Sequence, residues 1–291
     1  MSGSSMTWKQ WSESARYVRS GPVQVAVHER GGGDGPVLTF LHGYPSSSFD
    51  IEPVLGHLDP QWRVVAVDLP GFGASDKPTE HLYSIHGAAD AVEDVWRDLE
   101  ISSAVVAAHD YSVSVGQELL ARDAEGQLDI TLDGLVLMNG GLYPDLHRPT
   151  RGQQALLDPD HGAEFAAAID EASFVRGIET TWGQRVPLDQ HAATEMYASM
   201  AEHGGVAMMH TLLHYIADRR EHADRWSHAL EHTEVPLTFV WGDLDPVSGA
   251  HMIERVEQRC PAARIVRLGD VAHWPPLEAP DVVAGEIDRL L

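Results

Sequence analysis

The stretch Ala104-Val105-Val106-Ala107-Ala108-His109-Asp110-Tyr111-Ser112 joins a short apolar run to a helical pattern. Residues 104–108 are small and apolar, as a buried parallel strand should be, and residues 113–124 have the pattern of a helix. Asp110 therefore falls in a sharp strand-to-helix turn. Ala108 and Ser112, two positions before and after Asp110, have the small side chains that a turn presenting a nucleophile requires. An aspartate that attacks substrate from such a turn forms an alkyl ester.

Two other interpretations of this stretch stay open. Aspartate at a strand-to-helix boundary often does no more than cap the helix. In addition, Ser112-Val113-Ser114-Val115-Gly116 resembles a relaxed G-x-S-x-G turn, in which Ser114 would be a serine nucleophile. Ser114 lies about one helical turn beyond the predicted strand, so its hydroxyl would lie within the helix. This register favours Asp110.

Composition limits the class of protein and its partners. The chain has 291 residues and a formal net charge of −24, which fits one α/β domain with an insertion and argues against nucleic acid or an anionic membrane as partners. We expect a small neutral apolar substrate instead. The single cysteine, Cys260, excludes an internal disulfide, and the polar start at residues 1–5 lacks the apolar core of a signal peptide. These features predict a cytoplasmic monomer or homodimer without a membrane segment.

Strand-like runs alternate with helical patterns along most of the chain. The predicted strands are Val23–His28, Val37–Leu41, Val64–Val67, Ala104–Ala108, Leu135–Met138, Leu237–Trp241 and Arg264–Leu268. Between them, residues 86–99 place Ala89, Val92 and Trp96 on one helical face. Such alternation predicts an α/β fold with a doubly wound, mostly parallel sheet.

The alternation stops between Gly141 and His232. Residues 162–178 and 194–220 have helical patterns with no strand between them. We therefore predict a core made of residues 1–141 and 233–291, with a helical cap, or lid, over 142–232. The cap would cover the carboxyl ends of the strands, where open α/β sheets bind ligands.

Further candidate site residues follow other predicted strands. In Phe40-Leu41-His42-Gly43-Tyr44-Pro45 the glycine lets the backbone bend, so that the amides of Tyr44 and Tyr111 could form an oxyanion hole. Trp241-Gly242-Asp243-Leu244-Asp245-Pro246 offers two carboxylates, and His273 follows the last predicted strand. The chain order Asp110, acid, His273 is the one that a nucleophile, its acid and its histidine take in this architecture.

These motifs, with Val67-Asp68-Leu69-Pro70-Gly71-Phe72-Gly73-Ala74-Ser75, resemble the α/β-hydrolase superfamily. His109-Asp110 and the loop at residues 42–45 resemble epoxide hydrolases and haloalkane dehalogenases, both of which use an aspartate nucleophile. Asn139-Gly140-Gly141-Leu142-Tyr143-Pro144, His147-Arg148-Pro149 and Leu213-His214-Tyr215-Ile216 are similar to the mesoderm-specific transcript branch of that group. The resemblance implies Asp245 as the triad acid, with Asp243 as the fallback.

The leaving group separates the two aspartate chemistries. The resemblance implies that a dehalogenase has a tryptophan directly after its nucleophile, where this chain has Tyr111. Epoxide opening needs an O–H donor for the ring oxygen, and Tyr215 lies in a segment similar to the second lid tyrosine of epoxide hydrolases. Candidates for a second donor are Tyr143 and His147, and Tyr197 is a poorer one.

We therefore predict hydrolysis of an epoxide to a vicinal diol. The alternatives are a haloalkane dehalogenase, a serine-nucleophile esterase and a non-catalytic ligand-binding relative. No cofactor or metal is expected. The histidine pairs 210/214 and 228/232 have metal-ligand spacing, but neither contains the glutamate of an H-E-x-x-H motif.

Overall fold

A central sheet organises the protein in a computed structural model that describes residues 6–31 and 33–291. Its strands are β1 (Arg16–Ser20), β2 (Val23–Arg30), β3 (Val37–Leu41), β4 (Arg63–Val67), β5 (Ser103–His109), β6 (Thr131–Met138), β7 (Leu237–Gly242) and β8 (Arg264–Leu268). Within the described residues they form one sheet of eight strands in the order β1-β2-β4-β3-β5-β6-β7-β8. Residues 1–5, the polar segment predicted to lack the apolar core of a signal peptide, lie outside the described residues.

Strand direction confirms the prediction of a mostly parallel sheet. β2 runs antiparallel to both of its neighbours, β1 and β4, whereas β3 pairs in parallel with both β4 and β5. All seven predicted strands are present, with ends that shift by a few residues. The edge strand β1 was not predicted, because its sequence Arg-Tyr-Val-Arg-Ser has one buried side chain, Val18, and reads as polar.

Helices cover both faces of the sheet and the carboxyl ends of its strands. They are α1 (Trp8–Ser12), α2 (Glu52–Leu55), α3 (Ile85–Asp98), α4 (Tyr111–Ala124), α5 (Arg151–Leu156), α6 (Gly162–Ala167), α7 (Glu171–Glu179), α8 (Gln190–Ala201), α9 (Gly205–Leu212), α10 (Tyr215–Glu221), α11 (Ala223–His232), α12 (Ala250–Arg259), α13 (Pro275–Glu278) and α14 (Pro280–Asp288). The predicted helix over 86–99 corresponds to α3. Its Trp96 is fully buried and donates its indole N–H to Thr39 on β3 at 2.8 Å, which fastens the helix to the sheet.

The segment between β6 and β7 holds α5 to α11 and no strand. The two long helical patterns expected there are interrupted. Residues 162–178 form α6 and α7, and Asp170 caps α7 by accepting the N–H of Ser173. Residues 194–220 are broken between α8 and α9 at His203 and Gly204, whose φ angles are 51° and 76°. No α-helix continues through positive φ, so the pattern over 194–220 overestimated helix length.

The last helix of this segment, α11, packs against α4 of the core. Trp226 on α11 donates its indole N–H to the buried Glu118 carboxylate on α4 at 2.7 Å. No helix in the described ranges is both long and apolar enough to cross a membrane.

Candidate active site

Asp110 occupies the turn between β5 and α4. Its backbone has φ 45° and ψ −103°, a conformation that costs energy for a residue other than glycine and persists only where the surroundings hold it. The side chain is 3% exposed and makes no capping bond to α4. The alternative interpretation of Asp110 as a simple helix cap is therefore wrong.

The turn is held by close packing against the loop after β3. A Cβ atom added at Gly43 would lie 2.7 Å from Nδ1 of His109 and 2.9 Å from Cβ of Asp110. Ser112 fastens the same loop by donating its hydroxyl to the carbonyl of His42. Only glycine lets the two loops approach this closely, and their approach brings the next amide to Asp110.

That amide belongs to Tyr44, which precedes Pro45 in a cis peptide. The Tyr44 N–H donates to Oδ2 of Asp110 at 3.1 Å. Tyr111 is the first residue of α4, so its N–H has no acceptor within the helix. Both amides expected to form an oxyanion hole therefore lie next to Asp110. Tyr44 contacts Asp110 from the neighbouring loop, and Tyr111 follows it in the chain.

His273, from the loop after β8, connects two carboxylates that lie far apart in the chain. Its Nδ1 is 2.8 Å from Oδ2 of Asp245, and its Nε2 is 3.7 Å from Oδ1 of Asp110. The backbone of His273 is held by the ring of His109, whose Nε2 lies 2.7 Å from the His273 carbonyl and donates to it. The structure therefore brings together the three residues predicted as nucleophile, acid and histidine.

Asp245 is surrounded by donors that stabilise its charge. Oδ2 accepts the Asn139 side-chain amide at 3.1 Å and the Ser248 hydroxyl at 3.0 Å, and Oδ1 accepts the Val247 N–H at 2.8 Å. Burial alone would raise the pKa of Asp245, but the charge of His273 and these hydrogen bonds lower it to about 2. Asp245 is therefore ionised at neutral pH.

The same charges act on His273 in the opposite direction. Burial alone would lower the pKa of His273, but the Asp245 carboxylate, and behind it that of Asp110, raise the pKa to about 9. The imidazole is therefore protonated at neutral pH. Loss of either negative charge would shift it towards the neutral form.

Asn139 is a residue of the site that the sequence motifs did not predict. It follows β6 with φ 31°, and its amide bonds both the N–H and the carbonyl of Gly242 at the end of β7. Asn139 thereby links the ends of β6 and β7 next to Asp245. The available signal was its position directly after a predicted strand, within the Asn139-Gly140-Gly141 motif.

Two alternatives from the sequence are corrected by side-chain contacts. Asp243, the fallback acid, pairs with Arg267 at 2.9 Å instead of with His273. Ser114, the rival nucleophile, is fully buried inside α4, and its hydroxyl accepts Nε of Arg219 at 2.8 Å. Neither residue has the neighbours that its proposed role requires.

Tyr215 begins α10 in the cap and lies against the turn. It is 1% exposed, and its ring centroid is 4.7 Å from that of Tyr111. Its hydroxyl has no hydrogen-bond partner among the described residues. Burial raises the pKa of Tyr215, and the charge of Asp110 raises it further. The phenol is thus kept protonated beside the Asp110 carboxylate.

The two candidates for a second donor differ in what they contact. Tyr143 donates its hydroxyl to Glu231 on α11 at 3.2 Å, so the prediction that it shares the site is wrong. The ring nitrogens of His147 are buried without partners in the described chain. Burial, and then the charge of Arg219, lowers the pKa of His147 to about 3, so that ring is neutral. The poorer candidate, Tyr197, packs its ring against Phe174, 5.5 Å away.

A cavity of 490 Å³ lies between the cap and this site. Its lining is mostly apolar and includes Leu156, Phe174 and Met209 from the cap together with Tyr44, His273 and Trp274 from the core. This volume is in the range of small-molecule sites. Within residues 6–31 and 33–291, no three His, Cys, Asp or Glu side chains are grouped to hold a metal ion.

Comparison with known proteins agrees with this architecture. The chain is 36% identical over 278 residues to LipZ of Mycobacterium tuberculosis, with 95% of each chain covered. It is 31% identical to the human mesoderm-specific transcript homolog protein, covering 93% of this chain and 83% of that protein, which confirms the similarity inferred from the sequence motifs. Among solved structures, the haloalkane dehalogenase DbeA from Bradyrhizobium elkani superposes with a TM-score of 0.80 at 20% identity, over 95% of this chain and 96% of that one. The family model described as alpha/beta hydrolase fold matches residues 36–280, and this chain therefore belongs to the alpha/beta hydrolase fold family.

Proposed function

We propose that the protein hydrolyses an epoxide to a vicinal diol through an ester on Asp110. One observation carries the proposal: the buried Asp110 carboxylate meets the Tyr44 amide on one oxygen and His273 on the other, beside the hydroxyl of Tyr215, which has no partner among the described residues. A nucleophile, a histidine and a proton donor are the groups that this chemistry requires.

In the first step, the free oxygen of Asp110 attacks a ring carbon of the epoxide. The carbon–oxygen bond breaks with its electron pair on oxygen, and Tyr215 donates its proton to that oxygen. The result is a hydroxyalkyl ester of Asp110. The high pKa of Tyr215 supports this role because it keeps the phenol protonated until the alkoxide develops.

In the second step, water attacks the carbonyl carbon of the ester. His273 takes the proton from this water, and Asp245 stabilises the imidazolium that forms. The amides of Tyr44 and Tyr111 hold the oxyanion before the diol leaves. Esterification removes the charge of Asp110, which is one of the groups that raise the pKa of His273. The pKa of His273 therefore falls after the first step, so the imidazolium can pass its proton to the phenolate of Tyr215 and then accept one from water. The alkoxide that leaves the ester takes the proton of the new carboxylic acid, which restores the Asp110 carboxylate.

Indole contacts favour an epoxide over a haloalkane. A departing halide needs N–H donors, and Trp274, which lines the cavity, already donates its indole N–H to the hydroxyl of Thr181 at 3.0 Å. Trp182 donates its own to the carbonyl of Val186 at 2.8 Å. The hydroxyl of Tyr215, which has no partner in the described chain, belongs to a phenol, and a phenol suits an oxygen that must gain a proton.

Trapping the ester tests the proposal. The wild-type protein is mixed briefly with styrene oxide, quenched in acid and digested, and the peptide that carries Asp110 is analysed by mass spectrometry. We expect its mass to rise by that of one epoxide, and we expect no such gain in Asp110→Asn. Ser114→Ala is the matched control for the serine alternative, and it should retain the adduct. Release of bromide from 1-bromobutane without diol formation from epoxides would instead assign a dehalogenase.

A further inference from the structure

Arg219, on α10 of the cap, is a buried cation. It is 2% exposed, and its Nε donates to Ser114. Its two terminal nitrogens, Nη1 and Nη2, have no hydrogen-bond partner in the described chain. No carboxylate of residues 6–31 and 33–291 lies within 4.0 Å of its guanidinium. A buried cation without an anion is strongly unfavourable, so an anionic group bound beside Arg219 would be stabilised.

Two neighbours of Arg219 share this excess of donors. Eight buried side-chain polar atoms lack a partner in the described chain, and five of them belong to His147, Tyr215 and Arg219. The guanidinium carbon of Arg219 lies 4.4 Å from the centre of the Tyr215 ring. His147 lies close enough that the charge of Arg219 is the strongest of those that act on it. These three residues, which we call the donor cluster, offer N–H and O–H groups and no negative charge.

The donor cluster adjoins the candidate active site. The ring of Tyr215 lies 4.7 Å from that of Tyr111, which follows Asp110 in the chain, and Tyr44, which lines the cavity, donates its N–H to Asp110. Arg219 lies against Gly141, where any Cβ would overlap its Nη1 atom. A single ligand could therefore place its apolar part in the cavity, its reacting carbon at Asp110 and an anionic group at Arg219.

We propose that the substrate carries a carboxylate which the guanidinium of Arg219 binds, so that the protein acts on epoxy acids. This inference rests on the proposed function for the reaction, and it replaces the expectation of a neutral substrate. A carboxylate matches a guanidinium because both are planar and two parallel N–H···O bonds can form. It supplies the acceptors that Nη1 and Nη2 lack, and it needs no change in the chain.

The reaction balances without any other reactant. Asp110 attacks a ring carbon of the epoxy acid, the ring oxygen takes the electron pair and the proton of Tyr215, and the carboxylate stays ionised on Arg219. The imidazolium of His273 passes its proton to the phenolate of Tyr215 and takes another from the water that attacks the ester. The leaving alkoxide takes the proton of the new carboxylic acid, so that Asp110, His273 and Tyr215 return to their starting states. One epoxy acid and one water therefore yield one dihydroxy acid, with no oxidation or reduction.

Binding measurements test the carboxylate site independently of turnover. Cinnamate is an unreactive planar carboxylate with an apolar ring, and cinnamamide is its neutral counterpart of the same shape. By isothermal titration calorimetry we expect the wild-type protein to bind cinnamate at least about 10-fold more tightly, since hydrogen bonds between charged groups are the stronger ones. Arg219→Met should remove this preference. Arg220→Met, which removes an exposed arginine one position further on, should keep it.

Each outcome decides the inference. Equal affinity of the wild-type protein for both ligands, or loss of preference in Arg220→Met as well, would overturn it, because the donor cluster would then be satisfied by water. The wild-type comparison is decisive even if Arg219→Met does not fold. Turnover of 3-phenylglycidate and styrene oxide is measured in parallel. Hydrolysis of styrene oxide alone refutes the carboxylate site and keeps the epoxide reaction, whereas preference for cinnamate without any diol keeps the site and refutes the reaction.

Discussion

Nε2 of His273 lies 3.7 Å from Oδ1 of Asp110, which is beyond the length of a good hydrogen bond. The imidazole is instead hydrogen-bonded on its other side to Asp245 at 2.8 Å. Asp110 does not need a histidine to activate it, because a carboxylate is already a nucleophile at neutral pH. The separation suits a base that acts on a water molecule beside the ester.

Replacement of His273 should separate the two proposed steps. In His273→Gln, Asp110 remains free to form the ester, but no base activates the water, so the adduct should accumulate and turnover should fall by at least about 10³-fold. Intact-protein mass spectrometry over time measures the adduct, and gas chromatography measures the diol. If His273→Gln neither forms the adduct nor turns over, His273 acts in the first step and this order of events is wrong.

Removal of the Asp110 charge should lower the pKa of His273 from its value of about 9. A nearby negative charge favours the imidazolium, so Asp110→Asn should shift the titration of His273 to lower pH, and Asp245→Asn should shift it further because its carboxylate makes the stronger contact. Histidine ring signals in NMR spectra recorded across pH 5 to about 10 measure the shift. An unchanged titration in Asp110→Asn would show that the ester does not switch His273 to its neutral form.

Tyr215 should contribute to the first step and not to the second. Tyr215→Phe removes the proton donor and should slow ester formation by roughly 10²- to 10⁴-fold, the usual contribution of general acid catalysis. Rapid-quench mass spectrometry under single-turnover conditions gives this rate. Tyr143→Phe is the matched control, since its hydroxyl contacts Glu231, and its rate should be unchanged. Equal rates in wild type and Tyr215→Phe would remove Tyr215 from the mechanism.

Gly43→Ala should destabilise the protein and displace the Tyr44 amide. The new methyl group would overlap His109 and Asp110, and overpacking of this kind costs roughly 1–3 kcal/mol in the free energy of unfolding. Urea denaturation followed by circular dichroism measures the loss. Gly56→Ala serves as the control, because a Cβ there meets nothing within 4 Å and its backbone is helical. Equal stability of both variants would mean that the loops do not depend on this contact.

The order of elements and the position of Asp110 could be predicted because they depend on local patterns. Buried parallel strands are short apolar runs, and a small-residue turn between strand and helix is encoded within a few positions. The sequence predicts helices between β6 and β7, but it does not predict where each helix ends. The breaks at His203 and Gly204 depend on backbone angles that helical periodicity does not report.

By itself, the sequence determined the alpha/beta hydrolase fold and the chain order of Asp110, Asp245 and His273. The tertiary structure alone decided which nearby side chains face these residues: Tyr215 and not Tyr143, Asp245 and not Asp243. It also placed Arg219 against Ser114, 105 positions earlier in the chain. The physical reason is that the direction of a side chain follows from packing between distant segments, and spacing along one segment carries no information about the others.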